Sequence, residues 1–419
     1  MIRADHTQDE SFLTARCLAT PRTAAGEPPA NEEVTTKTYL LKTGELVLKR
    51  GNRAMFEKIL FRNLAAMLKG SGAQIICKDG RFFVRCRESA CAAVEDVLPR
   101  LAGITGWAAA RVTGKDKNAL LQICVDEALF CFERGARSFK IETRRTDKSF
   151  PLSSYEINCA AGDAITAALP SFKVDVHTPD AVISVEIREK TFVYSNANKG
   201  LRGLPAGTAG RGMLLLSGGI DSPVAGFLMA LRGMSLSAVY FHAYPYTPDE
   251  AKQKVITLAA LLRRYTINLR LFVVSFTAIE QRIKTAAPPQ WGTVLLRMAM
   301  MECASALALR NKCKCLITGE SLAQVASQTV ENIACTESKA AFPVFRPLIG
   351  MDKEEITQKS IKIGTYQTSI LQYADCCTLF SPEHPILHAD LSEALSIYDS
   401  LDLAELLKTA LDTCETIKS

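Results

Sequence analysis

The sequence predicts an α/β fold, a doubly wound parallel sheet in the second half of the chain preceded by two smaller α+β modules. Three observations predict it. Residues Met213 to Arg232 (MLLLSGGIDSPVAGFLMALR) hold a leucine run, a glycine-rich turn and an amphipathic helix in one stretch. After them the apolar runs SAVYFH, LRLFVVS and CKCLITG alternate with helical stretches near Lys252 to Arg263, Thr293 to Ala308 and Lys353 to Ile363. That is the order of strand and crossover helix that a parallel sheet requires. Before them, strands and helices follow in a β-α-β-β-α order that suits a small ferredoxin-like module.

Residues 1–35 mix Pro, Gly, Ala, Thr and charges without period and read as a flexible extension, whose acidic excess argues against a transit peptide. The module over 36–105 opens with a strand around Tyr39 to Leu41. A helix from Arg53 to Lys69 follows, with Phe56, Ile59, Leu60, Leu64 and Met67 at the helical period. AQIICK and RFFVRCR form a hairpin about Asp79 and Gly80, and a helix covers Ala90 to Leu98. Residues 106–205 read as a second α+β unit: the helix Asp116 to Arg134, the strand SFKIETR, the basic loop RRTDKSFPLSS, the helix Ser154 to Leu169, and the paired strands AVISVEIRE and TFVYSN. A glycine-rich connection, NANKGLRGLPAGTAGRG, leads into the α/β domain of 206–385. There Leu214, Leu215 and Leu216 form a buried strand that Ser217, Gly218 and Gly219 break. Pro223 stands in the first turn of the helix that follows. Residues 386–419 read as one amphipathic helix, whose Leu395, Leu401, Leu403 and Leu406 either dock on the body or join two copies in a homodimer.

At 419 residues, 48% hydrophobic and 22% charged, the chain has material for two or three cores. It carries neither a long unbroken apolar run nor a secretory leader, which points to a cytoplasmic protein with no membrane span. Its fourteen cysteines are then expected to stay reduced, and most, such as Cys124, Cys131 and Cys303, sit singly in apolar runs. The absence of a CxxC pair speaks against a structural zinc or thioredoxin-type site, and Cys313 and Cys315, alternating in a strand, read as structural. Charge is uneven: residues 36–205 carry 27 Lys and Arg against 18 Asp and Glu, while 206–419 carry 20 of each. The basic half supplies the field that a polyanion-binding module needs.

The Ser-Gly-Gly turn carries the chemistry. A helix starting directly after it aims free N–H groups and its positive dipole end into a space without side chains, a nest for pyrophosphate. Ser217, Ser222 and Asp221 stand in the same loop. No GxxxxGK[ST] loop occurs, so γ-phosphoryl transfer on that scaffold is not expected. SGGxDS after a strand resembles the PP-loop ATP pyrophosphatases, which cleave ATP between the α and β phosphates and adenylate an oxygen.

The likeness extends along the chain. RRTDKSFPLSSYEIN, NKGLRGLPAGTAGRGMLLLSGGIDSPVAGFLMALRG, ITGESLAQVASQT, FPVFRPLIGMDKEEI and IGTYQTSILQYADCCTLFSPEHP together resemble the tRNA 4-thiouridine synthetase (ThiI) family. The likeness runs from about Tyr39 to Pro385 and is to the shorter class without a rhodanese domain. It implies that the ferredoxin-like module and a THUMP domain over 106–205 grip tRNA. A PP-loop domain would use ATP and Mg2+ to adenylate O4 of the uridine at position 8, after which sulfur displaces AMP. Nucleotide contacts carry over to Leu215, Leu216, Ser217, Gly218, Gly219, Asp221 and Ser222, to Tyr240 and Phe241, to Arg297 before MAMMECASA, to Gly319 in ITGES and to Gln328 in ASQT. Asp221 would hold magnesium or orient the loop. The catalytic thiol falls on Cys376 by counting from Gly364 and on Cys377 by counting from Ser381. Sulfur would come from a cysteine desulfurase or another persulfide or sulfide donor, and some relatives also supply sulfur for thiazole synthesis in thiamine production.

A thiolate or persulfide suits this step because sulfur is strongly nucleophilic near neutral pH, and Cys376 and Cys377 are adjacent and polar-flanked. For RNA, Lys140, Arg144, Arg145 and Lys148 form the clearest basic cluster, with Phe139 and Phe150 nearby to stack on unpaired bases. Two other readings are an amidating PP-loop ligase, which has no need of basic modules or the CC pair, and an RNA chaperone with a degenerate nucleotide site, against which the intact SGGIDS argues.

Overall fold

The protein is described here by a computed structural model, which describes residues 36–48, 51–78, 80–373 and 384–418. The first module comprises β1 (Thr36–Thr43), α1 (Arg53–Met67), the hairpin β2 (Gln74–Lys78) and β3 (Arg81–Arg87), α2 (Cys91–Val97) and β4 (Ile104–Thr113). Alternation along β1 decides its two faces. Tyr39 and Leu41 turn toward Leu60, Leu64 and Val94 of the helices, and Leu40 turns the other way onto Phe83, Phe192 and Tyr194.

The second module follows as α3 (Lys117–Glu133), β5 (Ser138–Arg145), α4 (Ser154–Ala168), β6 (Lys173–Val174), β7 (Ala181–Ile187), β8 (Thr191–Ser195) and β9 (Asn198–Lys199). Both long helices start at side-chain caps: Asp116 accepts from Ala119 N at 2.7 Å, and Ser153 with Glu156 forms a reciprocal capping box. β4 pairs with β1 at one end and β8 at the other, so the modules share one sheet in the order β2-β3-β1-β4-β8-β7-β5-β6.

The α/β domain runs β10 (Arg211–Leu215), α5 (Asp221–Leu231), β11 (Ser235–His242), α6 (Asp249–Arg263), β12 (Arg270–Ser275), α7 (Thr277–Ala286), α8 (Gly292–Arg310), β13 (Cys315–Ile317), α9 (Val330–Glu337), β14 (Val344–Phe345) and α10 (Lys353–Ile363). The strands β14, β13, β10, β11 and β12 lie parallel in that order. Strand order therefore reverses between β10 and β13, the place where open α/β sheets bind ligands. α5 and α6 pack on one face and α8 on the other. By length and composition α8 could cross a membrane, but it is the buried central helix, apolar on all sides because the core surrounds it.

The C-terminal segment departs from the single helix expected. Two helices, Leu391–Ser400 and Ala404–Asp412, break at Asp402, whose φ is +46, a left-handed position that aspartate tolerates. A last strand, β15 (Glu415–Lys418), then pairs antiparallel with β12 and closes that edge of the sheet. Leu401, Leu403 and Leu407 are buried beside α8, and Leu395 and Leu406 pack against the same core, so the segment docks on the body. Cys313 lies just ahead of β13 rather than within it, and both it and Cys315 are buried.

Candidate active site

β10 delivers the chain to the glycine turn at the switch point. Ser222 Oγ accepts from Ser217 N at 2.9 Å and lies 3.1 Å from Ser217 Oγ, which in turn accepts from Gly219 N at 3.3 Å. The two hydroxyls thus close the turn on itself. Ile220, at the N-cap of α5, offers no side-chain cap, which leaves the first N–H groups of the helix for an anion. Gly219 has open space where a side chain would be, apart from Ser217 Oγ at 3.5 Å. Its bareness therefore serves something approaching from outside. Gly319 differs: a Cβ there would stand 2.7 Å from Ser222 N and 2.9 Å from the carbonyl carbon of Asp221. Only glycine lets the exit of β13 run against the start of α5.

Leu215, Leu216, Ser217, Asp221, Ser222, Tyr240, Phe241, Arg297, Gly319 and Gln328 line one cavity of about 270 Å³ together with Met300, Met301, Thr318 and Glu320. Gly218 lies buried in the turn beside it. Leucine, methionine and phenylalanine give part of the cavity an apolar wall suited to a base, while the turn offers donors for phosphates. Gln328 is 8% exposed and its Oε1 accepts no hydrogen bond among the described residues. A buried acceptor without a donor is costly, so this atom suits a ligand's N–H.

Charge at the site is tightly paired. Asp221 accepts from Lys353 Nζ at 2.7 Å on one carboxylate oxygen and from Gln324 Nε2 at 3.0 Å on the other. Glu320, 2% exposed, is held by Arg297, by Arg346 Nε at 2.7 Å and by Thr318 Oγ1 at 2.8 Å. Burial alone would push the Glu320 carboxyl up, but the Arg297 and Arg346 guanidiniums outweigh it and hold the carboxyl below its ordinary range. Arg297 also donates to Ser327 Oγ at 3.2 Å. These pairings bear on magnesium. Both oxygens of Asp221 are engaged, and among the described residues no cluster of three His, Cys, Asp or Glu ligands forms a cage for the ion.

Cys376 and Cys377 lie outside the described residues. The chain on either side is tied to the site: Ser369 Oγ donates to Gly219 O at 3.3 Å and Lys254 Nζ to Leu371 O at 2.7 Å. Beyond, Asn332 Nδ2 donates to Ile386 O at 2.8 Å and Thr329 Oγ1 to Leu387 O at 2.7 Å. The basic cluster is less unified than the sequence suggests. Along β5, Lys140 and Arg144 line a cleft with Lys42 and Arg81 of the first module, and Lys140 pairs with Glu142 at 2.9 Å. Arg145 points elsewhere and donates to the carbonyls of Phe150 and Leu152, bracing the loop, while Lys148 is exposed. Phe139 and Phe150, expected to stack on bases, are buried at 1% and 3%: strand alternation turns Phe139 into the helix-covered core, and the loop after β5 folds Phe150 back into the same core.

Known proteins carry the same architecture. The family profile for thiamine biosynthesis protein (ThiI) matches residues 207–403, the THUMP domain 121–196 and the ThiI ferredoxin-like domain 38–108. A probable tRNA sulfurtransferase of Treponema pallidum (strain Nichols) is 48% identical over 378 residues, covering 90% of this chain and 94% of that protein. The chain belongs to the ThiI family of tRNA sulfurtransferases. A second ThiI-family relative, from Caldanaerobacter subterraneus subsp. tengcongensis, is 43% identical over 364 residues, covering 87% of this chain and 95% of that one. Among solved structures, a 4-thiouridine synthetase in complex with RNA and bound ATP superposes with a TM-score of 0.86 at 32% identity, covering 91% of this chain and 99% of that chain.

The structure also brings in residues that sequence reading did not single out: Lys353, Glu320, Arg346 and Gln324. Lys353 had a signal. It is the first residue of α10, capped by Asp352, and a cation at a helix N-terminus works against the dipole. Two glutamates beside it blur the anomaly.

Proposed function

We propose that this chain is an ATP-dependent tRNA sulfurtransferase that adenylates the uridine at position 8 and replaces its O4 by sulfur. One observation carries the reading: the glycine turn, the uncapped start of α5, Arg297 and the unpaired Gln328 Oε1 all converge on one cavity at the switch point. Family membership supplies the substrate, since relatives are named tRNA sulfurtransferases and the solved 4-thiouridine synthetase holds RNA and ATP.

In this reading adenine occupies the apolar wall with Gln328 accepting from its amino group, and the phosphates lie on the turn. Uridine O4 attacks the α-phosphorus, the bond to the β-phosphate oxygen breaks, and pyrophosphate leaves. Preorganised donors must meet the charge that develops there. The N–H groups of α5 and the ammonium of Lys353, held over the turn by Asp221, stand in position to do so. ATP would carry Mg2+ in on its own phosphates, since Asp221 and Glu320 at the cavity are already engaged, and no step is assigned to it. In the second half-reaction a persulfide on Cys376 or Cys377 attacks C4, AMP departs with the former O4, and a second thiolate takes the inner sulfur, leaving a disulfide and 4-thiouridine. We assign the loading of that persulfide to a cysteine desulfurase or another persulfide donor, whose outer sulfur passes to the cysteine thiolate while the donor leaves as a thiol. A sulfide donor would instead attack C4 directly and expel AMP with no persulfide. The reaction is assigned to the reducing cytoplasm, where such thiols persist. The same sulfur would serve thiazole formation in thiamine synthesis, the role in the family's name. RNA contacts are assigned to Lys140, Arg144 and Lys148, with Arg145 shaping their loop.

The test is pyrophosphate release from ATP by the full chain with and without tRNA. Release that requires tRNA supports the reading. Release that requires a small metabolite instead would identify an amidating ligase, and no release at all would leave an RNA-binding protein.

A further inference from the structure

We propose that Tyr244 is the stacking platform for the target uracil, holding the base on the phosphate side of the cavity; the proposal rests on the tRNA reading above. β11 ends beside the glycine turn, and alternate residues of its end share one face. Tyr240 lines the cavity and packs among residues of α5 and α6. Its ring lies 5.9 Å from that of His242, and the His242 ring lies 6.4 Å from that of Tyr244. The three rings form a ladder leading out from the nucleotide pocket. Tyr240 and His242 are 2% and 8% exposed, whereas Tyr244 is 61% exposed. The ladder thus ends in an aromatic face open to solvent.

That exposure is held in place. Thr277 Oγ1, at the start of α7, donates to Tyr244 O at 2.7 Å. Thr247 Oγ1 accepts from Ala243 N at 2.9 Å, and Thr247 N donates to Ala243 O at 2.8 Å. Gln281 Nε2 donates to Tyr246 Oη at 3.1 Å. The pinned loop therefore presents the Tyr244 ring to water at a fixed place, with one aromatic face free for a second ring.

The chemistry names the occupant. A uridine whose O4 must reach the α-phosphorus has left its neighbours in the RNA, and an unstacked base is recognised by an aromatic side chain. Phe241, the other ring at this strand end, is 5% exposed inside the pocket and is committed to the nucleotide wall. Tyr244 is linked through the His242 ring to Tyr240, which packs against α5, whose N-terminus marks the phosphates.

The experiment compares the full-length protein with Tyr244→Ala, Tyr244→Phe and Tyr244→Trp. It uses unmodified tRNA, ATP, and a second tRNA carrying a fluorescent pyrimidine analogue at the target position. Tyr244→Ala is expected to lower kcat/KM for tRNA in AMP formation by about 5- to 150-fold, the range of one base-aromatic stack. ATP affinity and the melting curve stay at wild-type values, and the fluorescence change on binding disappears. Tyr244→Phe and Tyr244→Trp restore both signals. Wild-type kcat/KM and fluorescence in Tyr244→Ala would overturn the proposal, as would a loss of ATP affinity or of thermal stability matching the loss of activity. If the wild-type protein forms no AMP with tRNA, the thiolation reading itself fails and this proposal with it, a result visible before any variant is made.

Discussion

Two guanidiniums meet one buried carboxylate at Glu320, and that carboxylate fixes where Arg297 can point. Removing one partner from a buried charge group leaves the others uncompensated, which costs about 3–5 kcal/mol. Glu320→Gln is therefore expected to lower thermal stability sharply and weaken ATP binding together, measured by melting with and without nucleotide. The pH dependence has a definite sign. Because the folded carboxyl titrates below its ordinary value of 4.5, its stabilising contribution is present above that pH and is lost as pH falls through the depressed folded value. The acid limb of the stability curve should flatten in Glu320→Gln. Lys353 acts on a different quantity. Lys353→Met should reduce tRNA-dependent pyrophosphate release by about 10²–10³, the scale of a lost transition-state donor, with a smaller change in ATP affinity. Equal losses in both would mean that it merely binds ground-state phosphate.

Elements were legible where a strong local signal agreed with tertiary packing. The leucine run, the glycine turn and Pro223 placed β10 and α5, and the helices read over Asp116 to Arg134 and Ser154 to Leu169 match α3 and α4. Strand ends across the switch point pointed to Ser217, Phe241 and Gly319, while Arg297, Gln328 and most other candidate contacts came from the family resemblance. What the sequence concealed were pairings made across long separations. Lys353 reaches Asp221 over 132 positions, and no local pattern announces that. The phenylalanines of the basic cluster misled for a related reason: proximity in sequence to cations says nothing about whether Phe139 on β5 or Phe150 in the following loop turns into the core. The C-terminal segment kept a helical period through Asp402, so the break and the return strand were invisible locally. Its packing makes a prediction. Leu403→Ala, which empties a buried site beside α8, should cost about 2–5 kcal/mol and lower the midpoint of denaturant unfolding. A change near zero would mean that the segment is a loosely attached tail. Gly319→Ala should impair ATP binding because its Cβ would meet backbone at 2.7 Å rather than a yielding side chain.

Over the whole molecule, a shared sheet carries the two basic modules and a separate parallel sheet carries the nucleotide cavity. Binding and chemistry should accordingly separate. Neutralising Lys140 and Arg144 together is expected to weaken tRNA binding and to reduce the salt dependence of log K by about 0.7–0.9 for each phosphate no longer neutralised, while ATP affinity stays unchanged. Arg145→Ala should instead loosen the loop that it braces, detected as a lower melting temperature. At this cavity one ATP-activated uridine exchanges its O4 for sulfur. The decisive measurement is mass analysis of nucleosides from tRNA incubated with the full chain, ATP, Mg2+ and a persulfide donor. One uridine should shift by an oxygen-to-sulfur exchange, dependent on ATP and abolished in Cys376→Ser/Cys377→Ser with ATP binding intact. Unmodified tRNA from the wild-type protein under conditions where ATP binds, or full thiolation by the double variant, would contradict it.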